Sequence, residues 1–339
     1  MGSGRTRAAR PWPGPATPAI EALPPADRPS VYWLSSEAEE NAMARMSRMA
    51  RRNERNGILF VSPWLIGFAV FIAYPLLASL RNSFTNLTIL KAPRFVGLAN
   101  YYELLFRDEL FKISLFNTLY YVALAVPLGT IFSLAFAVLL NQKLPGISLF
   151  RTIYYLPTIV PAVASAIIWV MLLNPQFGIV NSIIRAVGLR APGWLGDPNW
   201  SKPALVMMSL WGTGSTIIIY LAALQDVPEH LVEAAVLDGA NAWDRFVNVT
   251  VPMISPAMLF NVIMGLIGGF QYFTQAYVMT LGGPLHSTLF YALYLYRNAF
   301  QYLKMGYACA MAWLLFLITL ACTVIVMRTS ARVVYYGGE

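Results

Sequence analysis

Residues 229–252 read EHLVEAAVLDGANAWDRFVNVTVP and lie between two stretches apolar enough to cross a bilayer. The segment is acidic, with Glu229, Glu233, Asp238 and Asp244 against the single cation Arg245. Pro228 stands just before it, acids occupy the first turns, and Gly239 falls where a left-handed C-cap stops a helix. A second helix is expected from Asn241, with Trp243, Phe246 and Val247 on one apolar side, until Pro252 ends it. Ala234 and Ala235 keep one face shallow. Two short helices at an angle, small in the middle and charged at the ends, make a shape that plugs into a groove.

The surroundings are those of a membrane protein. Of 339 residues, 58% are hydrophobic and 12% charged, against roughly 25% charged in soluble domains; the mean hydropathy is +0.57. Windows 57–80, 113–142, 152–184, 203–225, 246–296 and 305–327 are each long enough for a spanning helix of roughly 20 residues. In the fifth, 255–281 is the expected spanning part. The chain is therefore expected to be all-α, with six transmembrane helices in a domain over 57–328 and helices over 228–251 on one membrane face.

Residues 1–34 carry seven prolines and no periodic apolar face, which predicts a disordered arm, and they lack the apolar core of a secretory leader. The spacing Ser36–Glu39 makes a capping box, predicting an amphipathic helix over 35–56 with Met43, Met46 and Met49 or Ala50 toward lipid. Loop Lys and Arg divide evenly between the two sides. The cluster Arg45, Arg48, Arg51, Arg52 and Arg55 before the first span places that end in the cytoplasm. Six crossings then return the tail, 329–339, to the same side.

Several function classes are disfavoured. The net charge of +8 is scattered through loops and the N-terminal arm, so membrane lipid accounts for it and nucleic acid is not expected. Cys309 and Cys322 sit in the last window as small hydrophobes with no metal-ligand spacing, and His230 and His286 have no evident nucleophile partner. No metal, bound cofactor or catalytic residue is expected. Spans free of Asp, Glu, Lys and Arg disfavour an ion-coupled secondary carrier, which is kept as the alternative. The sequence has no GxxxxGK[ST] phosphate loop, so ATP hydrolysis belongs to another polypeptide.

Within the fifth window Asn261, Gly265, Gly268, Tyr272 and Gln275 recur at steps of four, three, four and three, with Gln271 beside Tyr272. That spacing puts a polar and small stripe on one helical face. Helix packing through the Gly265–Gly269 pair and a solute pathway both fit it. Neutral amides and hydroxyls suit a hydroxyl-rich solute such as a sugar. Pro157 and Pro161 are expected to bend the third span.

Glu233-Ala234-Ala235, then Gly239, then Val249, Val251 and Pro252 resemble the EAA motif of permease subunits of bacterial ABC importers, with Val for Ile and for Leu. Asp238-Gly239-Ala240 with Trp243 and Phe246 is most similar to the carbohydrate branch, the maltose and glycerol-phosphate type. Phe95-Val96-Gly97-Leu98 before Asn100-Tyr101, Asn117-Thr118-Leu119, Arg151 before Pro157, Trp194-Leu195-Gly196-Asp197-Pro198, Gly282-Gly283-Pro284 before Thr288, and Gly306-Tyr307-Ala308 agree. The resemblance implies a type I ABC importer permease of the cytoplasmic (inner) membrane. It implies a heterodimer with a second permease, two ATP-binding subunits that hold the ATP and Mg, and an extracytoplasmic solute-binding protein. The cargo would be a mono- or oligosaccharide or a polyol phosphate. Glu233 would contact the ATPase through its charge, Ala234 and Ala235 would allow close docking, and Gly239 would make the turn. Asp238, Ala240, Phe246 and Pro252 complete the coupling motif.

Overall fold

In the computed structural model the described residues are 31–88, 92–142, 144–330 and 334–335, with side chains described from Met49 onward. The chain divides into two compact units, Met1–Ile72 and Ala73–Glu339. In the first, helix α1 runs unbroken over Val31–Phe68. It contains the whole of the helix expected over 35–56, starts before the Ser36 cap and enters the apolar residues without a break. No glycine or proline interrupts residues 31–56, and Ala, Met, Glu and Arg hold a helix well. The rest of the Pro-rich arm and the side chains of Met43 and Met46 lie outside the described residues.

The second unit begins with α2 (Tyr74–Ser83) and α3 (Ala99–Tyr102), followed by the long α4 (Glu109–Leu140). Next come α5 (Ile147–Ile159), α6 (Ala162–Leu172), α7 (Ile179–Ala186), α8 (Pro198–Trp211) and α9 (Gly214–Gln225). The remaining helices are α10 (Glu229–Leu237), α11 (Ala242–Arg245), α12 (Val251–Phe270), α13 (Thr274–Met279), α14 (Tyr291–Tyr296) and α15 (Met305–Ser330). The described residues are nearly all helical; Thr85 and Phe95 form an isolated antiparallel bridge.

Four stretches, Met49–Ser83, Glu109–Leu140, Ala242–Met279 and Met305–Ser330, are long and apolar enough to cross a membrane. Two bent pairs, α5 with α6 and α8 with α9, raise the number to six if each pair is one span. The first pair turns by 102°. Pro157 stays inside α5, and the break falls at Val160 and Pro161, where Pro161 becomes the extended N-cap of α6. A proline cannot donate to the preceding turn, so the helix restarts there.

Two expectations change. Pro252 does not end the second helix: it occupies the first turn of α12, which follows a π-turn over Phe246–Thr250. The wider turn takes up the clash that a proline ring makes with the carbonyl four residues back. The helical stretch that holds the fifth apolar element runs over Ala242–Met279. The spans also carry more charge than their apolar windows: Lys202 lies inside α8 and donates to Asn117 Oδ1 at 3.0 Å. It sits over the rings of Phe116 and Tyr120, which lower the cost of holding its charge there.

α4 is the central helix, packed against α9 and α12, while α15 packs along α2. Its N-terminal half enters a core with Phe270, Phe290, Tyr291 and Met311. Its C-terminal half enters a second core with Ile217, Tyr220 and Ile254. Asn117 ties the N-terminal end of α4 to its surroundings. Its amide donates to the carbonyls of His286 (2.8 Å) and Leu289 (3.1 Å), so the segment after α13 is held onto α4. Asn117→Ala leaves the buried Leu289 carbonyl without its amide donor and takes from Lys202 its hydrogen-bond acceptor, while the His286 carbonyl keeps the Leu289 N–H. It is expected to cost about 3 kcal/mol, read as a lower unfolding temperature in detergent; an unchanged temperature would mean that the segment is anchored elsewhere.

Candidate functional site

The motif of residues 229–252 forms a surface turn built from local rules. Pro228 is the extended N-cap of α10. At its other end Ala240 N–H donates to Ala235 O at 2.9 Å and Gly239 N–H to Val236 O at 3.0 Å. That pair is the Schellman arrangement, and it needs the left-handed backbone that Gly239 adopts at φ +83°. Asn241 then opens α11 with a capping box: Asn241 Oδ1 accepts from Trp243 N and Asp244 N, while Asp244 Oδ2 accepts from Asn241 N. Arg245 donates to Ala240 O at 3.0 Å, bracing the turn between the helices.

This turn presents Glu233, Ala234, Asp238 and Gly239 to the outside, with Ala235, Ala240, Phe246 and Pro252 half-buried. Leu237 is 89% and Trp243 70% exposed. A tip that is apolar where it projects, acidic around the projection and shallow at Ala234 has the form of an unfilled contact surface.

The polar stripe of the fifth span lines a half-open cavity of about 540 Å3. Asn261, Gly265, Gly268, Tyr272 and Gln275 all line it. Gln271, at the surface where α12 has ended, does not. The glycines divide between the two expected roles. A Cβ on Gly269 would come within 2.9 Å of Val122, and one on Gly265 within 3.5 Å of Val126, so this pair sets the approach of α12 to α4. A Cβ on Gly268 would meet nothing within 4 Å and would project into open space.

The opposite walls come from helices that the sequence reading did not connect with the site. They bring Thr130 and Ser133 from α4, Thr158 and Ser165 from the bent pair α5–α6, and Ser209, Thr213 and Thr216 from α8 and α9. Tyr121 stacks on Tyr272 with ring centroids 4.2 Å apart, and both meet Phe290 edge-on, which closes the cavity toward the first core. Asn261 donates its amide to Ala257 O at 2.8 Å, back along its own helix. The hydroxyls of Ser133 and Tyr272 make no hydrogen bond among the described residues. Among the described residues the lining holds no carboxylate, ammonium or guanidinium group, so what they can offer is neutral hydrogen bonding and aromatic faces. Among the described residues no group of three His, Cys, Asp or Glu is placed to hold a metal ion.

Compared with known proteins, residues 125–334 match the family described as "Binding-protein-dependent transport system inner membrane component". The chain is 40% identical over 299 residues to the probable ABC transporter permease protein YesP of Bacillus subtilis, covering 87% of this chain and 96% of that one. It is 35% identical to the lactose transport system permease protein LacF of Rhizobium radiobacter, covering 81% and 94%. Among solved structures, a chain of a bacterial alginate ABC transporter in complex with an alginate pentasaccharide-bound periplasmic protein superposes with a TM-score of 0.75. That match covers 86% of this chain and 99% of that one at 23% identity, a likeness of fold. The chain is an ABC transporter permease and belongs to the family of binding-protein-dependent transport system inner membrane components.

Proposed function

We propose that this permease carries a carbohydrate inward, as half of the pathway of an ATP-driven importer. The observation that carries the reading is a neutral cavity of hydroxyls, amides and aromatic faces in the same chain as an exposed acidic turn. A sugar needs the first, because its hydroxyls exchange water for side-chain hydrogen bonds without a charged partner. Coupling to a separate ATPase needs the second. The lactose permease of Rhizobium radiobacter, similar over most of its length, supports the same cargo class.

In this reading Glu233, Ala234, Ala235, Asp238, Gly239, Ala240, Phe246 and Pro252 dock on an ATP-binding subunit that holds the nucleotide and Mg. Asn261, Gly265, Gly268, Tyr272 and Gln275 line the path. The assembly has a second permease, two ATP-binding subunits and an extracytoplasmic binding protein. The motif turn and both termini are cytoplasmic, and 57–328 is the membrane domain.

The test begins with purification of the chain from native membranes in mild detergent, followed by mass spectrometry and an ATPase assay with candidate sugars. A nucleotide-binding subunit, a second permease and sugar-stimulated hydrolysis are expected. Recovery of the chain alone, with uptake that follows an ion gradient, would overturn the proposal. Within the complex, Asn261→Leu and Gln275→Leu are each expected to raise the KM for uptake about fivefold, one hydrogen bond's worth, without dissociating the subunits. Wild-type kinetics in both would leave the stripe with packing alone.

A further inference from the structure

α7, the short helix between the bent pair α5–α6 and α8, buries two of its faces and leaves a third bare. Val180 and Ile184 pack onto the small core of Leu173, Trp194 and Ala204. One face round, Asn181 is buried, with its Oδ1 accepting from Trp194 Nε1 at 2.5 Å and its amide donating to Pro192 O at 3.2 Å. Arg185, itself exposed, donates to Gln176 O at 3.0 Å. The remaining face carries Ile179, Ile183 and Val187 at steps of four, exposed by 61%, 61% and 67%. Phe177 and Leu189 flank it, exposed by 66% and 65%.

A helix surrounded by water would not leave Ile179, Ile183 and Val187 in line and uncovered. The exposed stripe therefore has an apolar neighbour. Two observations identify it. α7 connects two bilayer-embedded pairs, with only short links to Leu172 and Pro198, which keeps it at the membrane surface. Residues 173–197 contain Arg185 and Arg190, and their single acid, Asp197, is engaged as the N-cap of α8. An apolar stripe beside two arginines, with the one acid of the segment turned to capping α8, has the composition of an interfacial helix that meets anionic headgroups.

We infer that α7 is a lipid-binding element, lying in the membrane surface with Ile179, Ile183 and Val187 among the upper acyl chains and Arg190 at anionic phospholipid headgroups. The inference rests on the spanning of the membrane and is independent of the cargo and of the ATPase contact.

The test places p-benzoylphenylalanine at Ile183, and separately at Val187 in case one position disturbs folding. The full complex is held in nanodiscs of equal phosphatidylglycerol and phosphatidylcholine, irradiated, and its adducts are weighed. Lipid adducts are expected, with phosphatidylglycerol about fivefold over phosphatidylcholine, the preference that one surface arginine supplies. Arg190→Glu is expected to remove that excess. Adducts to another protein subunit would make the stripe a protein interface and overturn the inference. Absence of any adduct at both positions would mean that the stripe faces water, and equal adducts to the two lipids would overturn the anionic preference.

Discussion

Glu233→Lys is expected to abolish uptake while the chain still folds and inserts. Glu233 lies on the exposed face of α10, and its carboxylate makes no hydrogen bond or ion pair among the described residues, so no folding interaction is lost. In the proposed complex the carboxylate is covered by the ATP-binding subunit. Losing one member of a covered charge pair costs about 2–5 kcal/mol, at least about thirtyfold in affinity, and reversal adds repulsion. The readout is the ratio of ATP-binding subunit to permease after purification, together with uptake. Glu233→Gln, which keeps the shape and one acceptor, should fall between the two. A wild-type ratio and normal uptake for the lysine variant would remove Glu233 from the contact.

The turn that carries Glu233 was legible because each of its parts is local. Proline before a helix, glycine at a left-handed cap and Asn-x-x-Asp at the next start each follow from backbone chemistry within a few residues. Pro252 was misread by the same kind of rule. The rule treats proline as a stop, whereas the π-turn of the preceding five residues makes room for its ring. α1 begins ahead of the Ser36 cap because helix-forming residues continue on both sides of it.

The cavity was legible on one wall only. A stripe at helical spacing leaves a period in the sequence, although α12 ends at Phe270, Tyr272 follows it and Gln275 stands on α13; the convergence of five further helices does not. Ser209, Thr213 and Thr216 do repeat at four and three, as do Thr130 and Ser133 at three, so a search for hydroxyls at helical spacing would have found these walls. Lys202 escaped because the apolar window was drawn to begin just after it. Some residues that carry the family resemblance serve as fastenings. Asn100 donates to the carbonyls of Ser83 and Thr85, Arg151 to that of Leu140, and Asp197 caps α8. Polar side chains that close backbone groups at helix ends have few substitutes, because a buried carbonyl left open is costly.

Gly214→Val is expected to be the most damaging single change in the cavity wall. Gly214 opens α9 just after the bend of the α8–α9 pair and lies against α5. A Cβ there would stand 2.5 Å from Tyr154 O, 2.8 Å from Thr158 Cγ2 and 3.1 Å from Tyr155 Cα. Two of those atoms are backbone, so no rotamer change relieves the clash; α5 has to move. Because α5 carries Pro157 and Thr158 in the cavity lining, the movement also reshapes the cavity. Even alanine should destabilise by about 1–3 kcal/mol through overpacking, and valine by more. Gly212→Ala is the control for stability: its Cβ would meet only Ser209 O, at 3.6 Å, so its unfolding temperature should stay near that of the parent. If Gly214→Val unfolded at the parent's temperature and transported at the parent's rate, α5 and α9 would not be held in this close approach, and the cavity would not depend on it.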